Sequence, residues 1–171
     1  MQRRILCLVA LLSFGVPSAW AATETITANI GFDEPLAIVS FGGYSVEFGT
    51  VRAGVADVFT LSYASGLTAQ NSSGNILYGF AGMADLGVSG SATQSIQFSA
   101  SNYVADNGVT PSDATCVYGN TAAAPCDGLL GDPPGGGFAT DLKVGLTITV
   151  DGTQTAGETA APTFDLAVIY Q

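Results

Sequence analysis

The side chains best able to react or to bind a metal in this 171-residue chain are two cysteines, Cys116 and Cys126, and scattered carboxylates. The chain has no histidine, which removes the commonest general base and the usual catalytic triads. No serine lies in a G-x-S-x-G sequence, and the spacing of the carboxylates singles out no acid–base pair. The sequence therefore predicts neither an enzyme nor a cofactor, and an enzyme is the most distant of the functional alternatives.

In an oxidising compartment an even pair of cysteines such as Cys116 and Cys126 is most simply a disulfide. The bridge would close a loop of about ten residues and stabilise the fold by roughly 2–3 kcal/mol in the chain-entropy model. A redox or metal pair is the alternative. It is disfavoured because the spacing is not C-x-x-C and no histidine is present to complete a zinc site.

Calcium is a further alternative, because acidic, glycine-rich loops outside the cell often bind it. Four aspartates crowd such a stretch, but they lack the D-x-D-x-D spacing that gathers ligands within one turn. No metal is therefore predicted, and calcium is left open. The four residues are Asp113, Asp127, Asp132 and Asp141.

The N-terminus has the three parts of a secretory signal peptide. Two arginines precede the apolar run Ile5–Val16, and the small-x-small pattern Ala19-Trp20-Ala21 follows, which predicts cleavage between Ala21 and Ala22. The apolar run is too short to span a membrane. We expect a signal peptide over 1–21 and an exported single domain over 22–171, in the periplasm, at the cell surface or outside the cell.

Removal of the signal peptide leaves two basic side chains, Arg52 and Lys143, against all 14 acidic ones, a net charge of −12. A chain of that charge should be repelled by nucleic acid, whose binding depends on lysine and arginine. No segment after the predicted cleavage site is long and apolar enough to suggest membrane insertion. Nucleic acid and membrane are therefore excluded as predicted partners.

Alternation of apolar and polar residues runs through the mature chain and predicts β-strands. Thr25 to Phe32 places Ile26, Ala28, Ile30 and Phe32 on one face. Lys143 to Val150 alternates most clearly, and Asp151-Gly152 after it signals a hairpin. The final strand, Thr163 to Tyr170, has Phe164, Leu166, Val168 and Tyr170 on one face. Residues 109–140, rich in Gly, Pro and Asp, are predicted to be a long loop pinned by the disulfide. This pattern predicts an all-β sandwich or barrel.

Val46-Glu-Phe-Gly-Thr-Val51, with Phe48 and Gly49 at its centre, resembles a motif of the secreted bacterial domain-of-unknown-function family 4402. Segments like those of the family follow in the same order: Ala84–Gly90, Ile96–Phe98, Leu142–Val150 and a final Tyr170-Gln171. The family's Gly-x-Tyr-x-Gly signal is degraded here, where residues 157–163 read GETAAPT. The resemblance implies a pilin-like or adhesin-like β-sandwich and names no activity.

The chain also resembles subunits of chaperone–usher pili, which have an alternating N-terminal extension and a penultimate tyrosine. Their immunoglobulin-like sandwich lacks a strand, which the extension of another subunit supplies by strand addition. This resemblance implies an antiparallel immunoglobulin-like sandwich, Ile26, Ala28, Ile30 and Phe32 as a donor face, and other copies and a periplasmic chaperone as partners. The alternative is that Thr23–Phe32 and Thr163–Tyr170 pair within one self-contained domain.

The leading functional prediction is an exported, pilin-like or fimbrial-type surface subunit. The alternative is a self-contained secreted module that binds carbohydrate or a surface partner.

Overall fold

A computed structural model describes residues 34–63, 66–69, 75–78 and 81–171. The predicted signal peptide, the cleavage site at Ala21 and Ala22 and the predicted donor face Ile26, Ala28, Ile30 and Phe32 lie outside the described residues. Within the described part every regular element is a β-strand, and every strand pair is antiparallel.

The strands are β1 (Ala37–Gly43), β2 (Thr50–Val51), β3 (Asp57–Ser62), β4 (Gly66–Ala69), β5 (Ile76–Tyr78), β6 (Ala84–Ser89), β7 (Ile96–Val104), β8 (Val109–Tyr118), β9 (Ala124–Pro125), β10 (Leu130–Gly131), β11 (Thr140–Val150) and β12 (Thr163–Tyr170).

The larger sheet is organised around β11. One edge of β11 pairs with β8, and its other edge pairs first with β6 and then with β3. Gly145 lies where β6 gives way to β3, and a Cβ there would stand 2.1 Å from the Leu61 carbonyl oxygen. The close approach of β3 to β11 therefore requires glycine at this position. β1 extends the sheet beyond β6, β4 extends it beyond β3, and β9 pairs with β8.

The smaller sheet has the order β10-β7-β12, and β2 pairs with β5 separately. Both main sheets contribute to one core, because alternate side chains of each strand point inward. The fully buried residues include Phe59, Val88, Leu142 and Val144 of the larger sheet and Ile96 and Phe98 of the smaller sheet. The prediction of an all-β, sandwich-like fold is confirmed.

The prediction of a long loop over 109–140 is wrong for its first ten residues, which form β8. Two features hid this strand. Pro111 pairs with Ile148 of β11 although it has no N–H to donate, and a proline in the sequence argues against a strand. A bulge at Asp113, whose φ is +48°, shifts the inward alternation by one residue.

The hairpin predicted at Asp151-Gly152 is also wrong. The turn itself forms, with Gly152 at φ +81° and the Asp151 carboxylate accepting from the Thr153 amide at 2.9 Å. However, β11 belongs to the larger sheet and β12 to the smaller one. Residues 151–162 carry the chain from one sheet to the other, so the local turn signal is correct while the pairing inferred from it is not.

The predicted disulfide is confirmed. Cys116 in β8 and Cys126 after β9 are bonded, with their Cα atoms 4.9 Å apart, and both side chains are fully buried. The bridge ties β8 to the segment that follows β9. The Cys126 amide reinforces this link by donating to the Ala114 carbonyl at 2.9 Å.

Candidate strand-addition edge on β12

β12 pairs along one edge with β7, from Thr163 opposite Val104 to Tyr170 opposite Ile96. In the part of the chain that the structure describes, no strand pairs with its other edge. The backbone N–H and C=O groups of that edge form a template on which a further strand can be built. We call it the free edge of β12.

The side chains of β12 alternate strictly, as the sequence predicts for its final strand. Four of them point toward the core and are half-buried, and the four between them are exposed. On β7, by contrast, Ile96 and Phe98 are completely buried although they lie directly opposite Tyr170 and Val168. The core is therefore less covered under β12 than under its neighbour. The half-buried set is Phe164, Leu166, Val168 and Tyr170.

Tyr170 links three segments of the chain. We call the end of the described domain that holds Tyr170, Ser91 and Glu34 the Tyr170 end. The Tyr170 hydroxyl donates to the Glu34 carbonyl at 2.7 Å and accepts from the Ser91 amide at 2.7 Å. A Cβ on Gly90 would stand 2.3 Å from this hydroxyl, so glycine is needed there for space. The final strand, the turn after β6 and the chain before β1 are thereby held together.

The Ser91 side chain stabilises the turn that receives Tyr170. Its buried hydroxyl accepts from the amides of Thr93 at 3.1 Å and Gln94 at 3.2 Å. Sequence reasoning identified Tyr170 but missed Glu34 and Ser91. A glycine before a serine, followed by two polar residues, was the available turn signal, but nothing local indicated that a tyrosine 79 residues away would dock on it.

The opposite end of β12 contains an irregularity that the sequence did not predict. The register with β7 shifts between Thr163 and Asp165. At this point Asn102 has φ +51°, and its side-chain amide donates to the Asp165 carboxylate at 2.6 Å. The Phe164 ring stacks on the Tyr103 ring with centroids 5.6 Å apart. Asparagine tolerates left-handed backbone, so Asn102 suits this bulge.

The residues of the family motif lie away from the free edge. Phe48 is half-buried against the core, and Gly49, at φ +71°, turns the chain into β2. Glu47, before them, pairs with Gly82 through two backbone hydrogen bonds of 2.7 and 2.9 Å. The motif therefore has a structural position at the start of β2.

The four aspartates considered for calcium do not come together. Within the described residues, no group of three His, Cys, Asp or Glu side chains is placed to hold a metal ion. Asp141 lies 3.3 Å from the Lys143 ammonium, which also contacts Asp85 on the neighbouring strand. These contacts, with that to Asp85 the strongest, raise the pKa of Lys143. Among the residues described, no helix is long and apolar enough to cross a membrane.

Comparisons of the chain with models of protein families, with curated proteins and with solved structures find no match. The resemblance to domain-of-unknown-function family 4402, carried by Phe48 and Gly49, stays a prediction. The function is therefore argued from the geometry of the chain itself.

Proposed function

We propose that this protein is an exported, pilin-like structural subunit that joins other copies of itself by strand addition at the free edge of β12. The observation that carries the proposal is the combination of an edge with which no described strand pairs and a strictly alternating, half-buried face. Added strands bind in this way, with backbone hydrogen bonds supplying affinity and alternate side chains filling the exposed part of the core.

The occupant that we propose is Thr23–Phe32 of a second copy. This segment has the required alternation, with Ile26, Ala28, Ile30 and Phe32 on one face. Ten extended residues span about 33 Å, and the eight residues of β12 span about 26 Å, so the segment is long enough to cover the whole edge. A bare apolar edge would also favour aggregation before assembly, which supports a periplasmic chaperone as a transient partner.

The Tyr170 end supports a direction for this addition. Tyr170 holds Glu34, the first described residue, at that end. β1 also starts there, because Ala37 lies opposite Ser89, and it runs in the opposite direction to β12. An upstream segment that continues the direction of β1 would lie beyond the Tyr170 end. It would meet β12 of a similarly oriented neighbour in the antiparallel sense, giving an open, head-to-tail chain.

Cross-linking of paired cysteine variants tests the proposal in the mature chain, residues 22–171. In the sequence Thr25 alternates with the apolar set that begins at Ile26, and on β12 Ile169 is 57% exposed. With antiparallel addition, Thr25→Cys combined with Ile169→Cys should give a ladder of multimers with a short bis-maleimide. Thr25→Cys combined with Thr163→Cys should not. The native cysteines are buried in their disulfide and do not compete.

The matched control is Thr25→Cys combined with Thr110→Cys, because Thr110 is also exposed but lies on β8 in the larger sheet. A ladder with this pair would indicate random collision. Cross-links between Thr25 and Thr163 of two chains would support strand addition, but they would indicate a closed, two-fold dimer in place of the open chain. Cross-links within single chains, or none at all, would overturn the proposed function.

A further inference from the structure

Phe138 is the most exposed large apolar side chain among the described residues, at 88%. It lies in the loop that leads into β11, and residues 133–140 of this loop carry no charge. The loop is at the Tyr170 end, because a Cβ on Gly136 would stand 3.8 Å from the Glu34 carboxylate. An aromatic ring exposed on an uncharged loop is a side chain of the kind that protein interfaces bury at their centre.

The loop holds Phe138 between two anchored neighbours. On one side Pro134 is fully buried, and its carbonyl accepts from the Thr140 hydroxyl at 2.7 Å. On the other side Ala139 lies over β6, because a Cβ on Gly87 would stand 2.8 Å from the Ala139 Cβ. A side chain whose backbone is already held in place loses less conformational entropy when a partner covers it. The loop is therefore suited to docking.

A second uncharged, apolar surface lies at the other end of β12, where that strand begins. Residues 159–164 carry no charge, and Ala160 and Ala161 are exposed. Val104 of β7, which pairs with Thr163, is 56% exposed. We call Val104, Ala160 and Ala161 the Ala160 surface.

Two hydrogen bonds hold the Ala160 surface against the turn that follows β7. The Ala161 amide donates to the Asp106 carboxylate at 2.7 Å, and the Asn107 side-chain amide donates to the Thr159 carbonyl at 3.2 Å. The exposed alanines are therefore presented by an ordered segment, and an aromatic ring can lie flat against side chains as small as these.

The proposed assembly brings these two surfaces together, one from each copy. With Thr25 of one copy beside Ile169 of the next, antiparallel pairing sets Phe32 beside Pro162. One residue separates Phe32 from Glu34 in the sequence, so their Cα atoms are at most about 7 Å apart. Paired residues lie about 5 Å apart across neighbouring strands. Glu34, and with it the Tyr170 end, would therefore lie within about 12 Å of Pro162 of the next copy.

We infer that Phe138 of one copy docks on the Ala160 surface of the next copy, as a second contact at each junction. The inference rests on the proposed function, because strand addition is what brings these two ends together. Copies with a net charge of −12 repel one another. Burial of an aromatic ring against uncharged, apolar side chains opposes that repulsion, whereas further carboxylates at the junction would add to it.

Cross-linking tests the contact in the chain of residues 22–171. Phe138→Cys combined with Ala160→Cys should give multimers with the same short bis-maleimide that joins Thr25→Cys to Ile169→Cys. Both native cysteines are buried in their disulfide and do not react.

The matched control is Tyr63→Cys combined with Ala160→Cys, which should give no multimers. Tyr63 is also an exposed aromatic residue, at 63%, but it lies away from both ends. It follows Leu61, which pairs with Leu146 in the middle of β11.

A second measurement reports the strength of the junction. In the chain with Thr25→Cys and Ile169→Cys, Phe138→Ala should raise the concentration needed for half-maximal cross-linking about tenfold, because it removes the docked ring. Phe138→Leu should raise it less, since leucine keeps much of the apolar volume, and Tyr63→Ala should leave it unchanged. Phe138 is exposed in the single copy, so Phe138→Ala should melt at the wild-type temperature.

The outcomes separate this contact from strand addition. If Thr25 and Ile169 cross-link but Phe138 and Ala160 do not, or if Phe138→Ala assembles as readily as the wild type, the inference is overturned and the proposed function stands. If only Phe138 and Ala160 cross-link, the ends associate without strand addition, which supports the docking contact and overturns the proposed function. If neither pair cross-links, both are overturned.

Discussion

β11 and β12 are both alternating strands, yet their inward side chains are buried to different extents. β11 has neighbours along both edges, and its inward side chains Leu142, Val144, Leu146, Ile148 and Val150 are 0–6% exposed. β12 pairs with β7 alone in the described part of the chain, and its inward side chains remain half-buried.

The difference shows that burial in a sheet depends on lateral neighbours as much as on the strand's own pattern. An inward side chain is covered from above by the opposite sheet and from the sides by the adjacent strands. β12 has the first kind of cover and, on its free edge, lacks the second. Strand addition would give β12 a second lateral neighbour, as β11 has. The following predictions test whether the free edge of β12 is uncovered in the isolated chain of residues 22–171.

The largest expected effect comes from truncating the same residue type in the two strands. Leu146→Ala removes a buried side chain that is packed on all sides and should lower the free energy of unfolding by about 3–4 kcal/mol. Leu166→Ala removes a half-buried side chain and should cost about 1–2 kcal/mol. Chemical denaturation of both variants at a concentration where the protein is monomeric measures the difference.

Equal losses for the two variants would contradict the comparison, because they would mean that Leu166 is already enclosed in the monomer. In that case the free edge is covered within the chain, and the proposed assembly loses its acceptor. A larger loss for Leu166→Ala in cross-linked multimers than in monomers would support strand addition directly.

The same comparison explains how much of the fold the sequence could reveal. Strands such as β11 and β12 were predictable because strict alternation reports which face is buried. β8 was missed because Pro111 argues against a strand and a bulge at Asp113 shifts the alternation by one residue. The false hairpin at Asp151 has a similar cause, since a turn signal describes four residues and does not specify which sheet the next strand joins.

The candidate edge was only partly predictable. Phe164, Leu166, Val168 and Tyr170 could be assigned to one face, and the disulfide followed from the cysteine count. The contacts of Tyr170 with Glu34 and Ser91 depend on long-range packing. No local pattern encodes such meetings, because they are consequences of the completed sandwich.

The next prediction concerns the disulfide, which ties β8, a neighbour of β11, to the segment after β9. Cys116→Ser should lower the free energy of unfolding by about 2–3 kcal/mol, through the entropy of the opened ten-residue loop. Thermal or denaturant unfolding measures this loss. Intact mass of a chain of residues 22–171 should show no free thiols, and finding two would contradict the bridge.

Tyr170→Phe tests the end of β12 with a smaller change. It removes the hydroxyl that the Glu34 carbonyl and the Ser91 amide share, and it should cost about 1–2 kcal/mol because both backbone groups lose a partner. Amide exchange should accelerate at Ser91. Tyr44→Phe is the control, since Tyr44 is 70% exposed, and a similar loss in this variant would show that the effect is not specific to the Tyr170 end.

The smallest effect concerns the crossing between the two strands. Hydrogen bonds from the Thr153 amide, then from its hydroxyl and from the Gln154 amide, hold the pKa of the exposed Asp151 below its usual value of 3.8. A carboxyl whose pKa is lowered by folding stabilises the fold above pH 3.8, and this contribution disappears as the pH falls through the lowered value.

Asp151→Asn keeps the side-chain oxygen but removes the charge. Its melting temperature should therefore fall slightly below that of the wild type at pH 6, and the two should converge toward pH 2. Asp127→Asn, at an exposed position outside the crossing, is the control. A gap between wild type and Asp151→Asn that persists unchanged to pH 2 would mean that the charge of Asp151 contributes nothing, and that the turn is stabilised by the geometry of its side-chain oxygen alone.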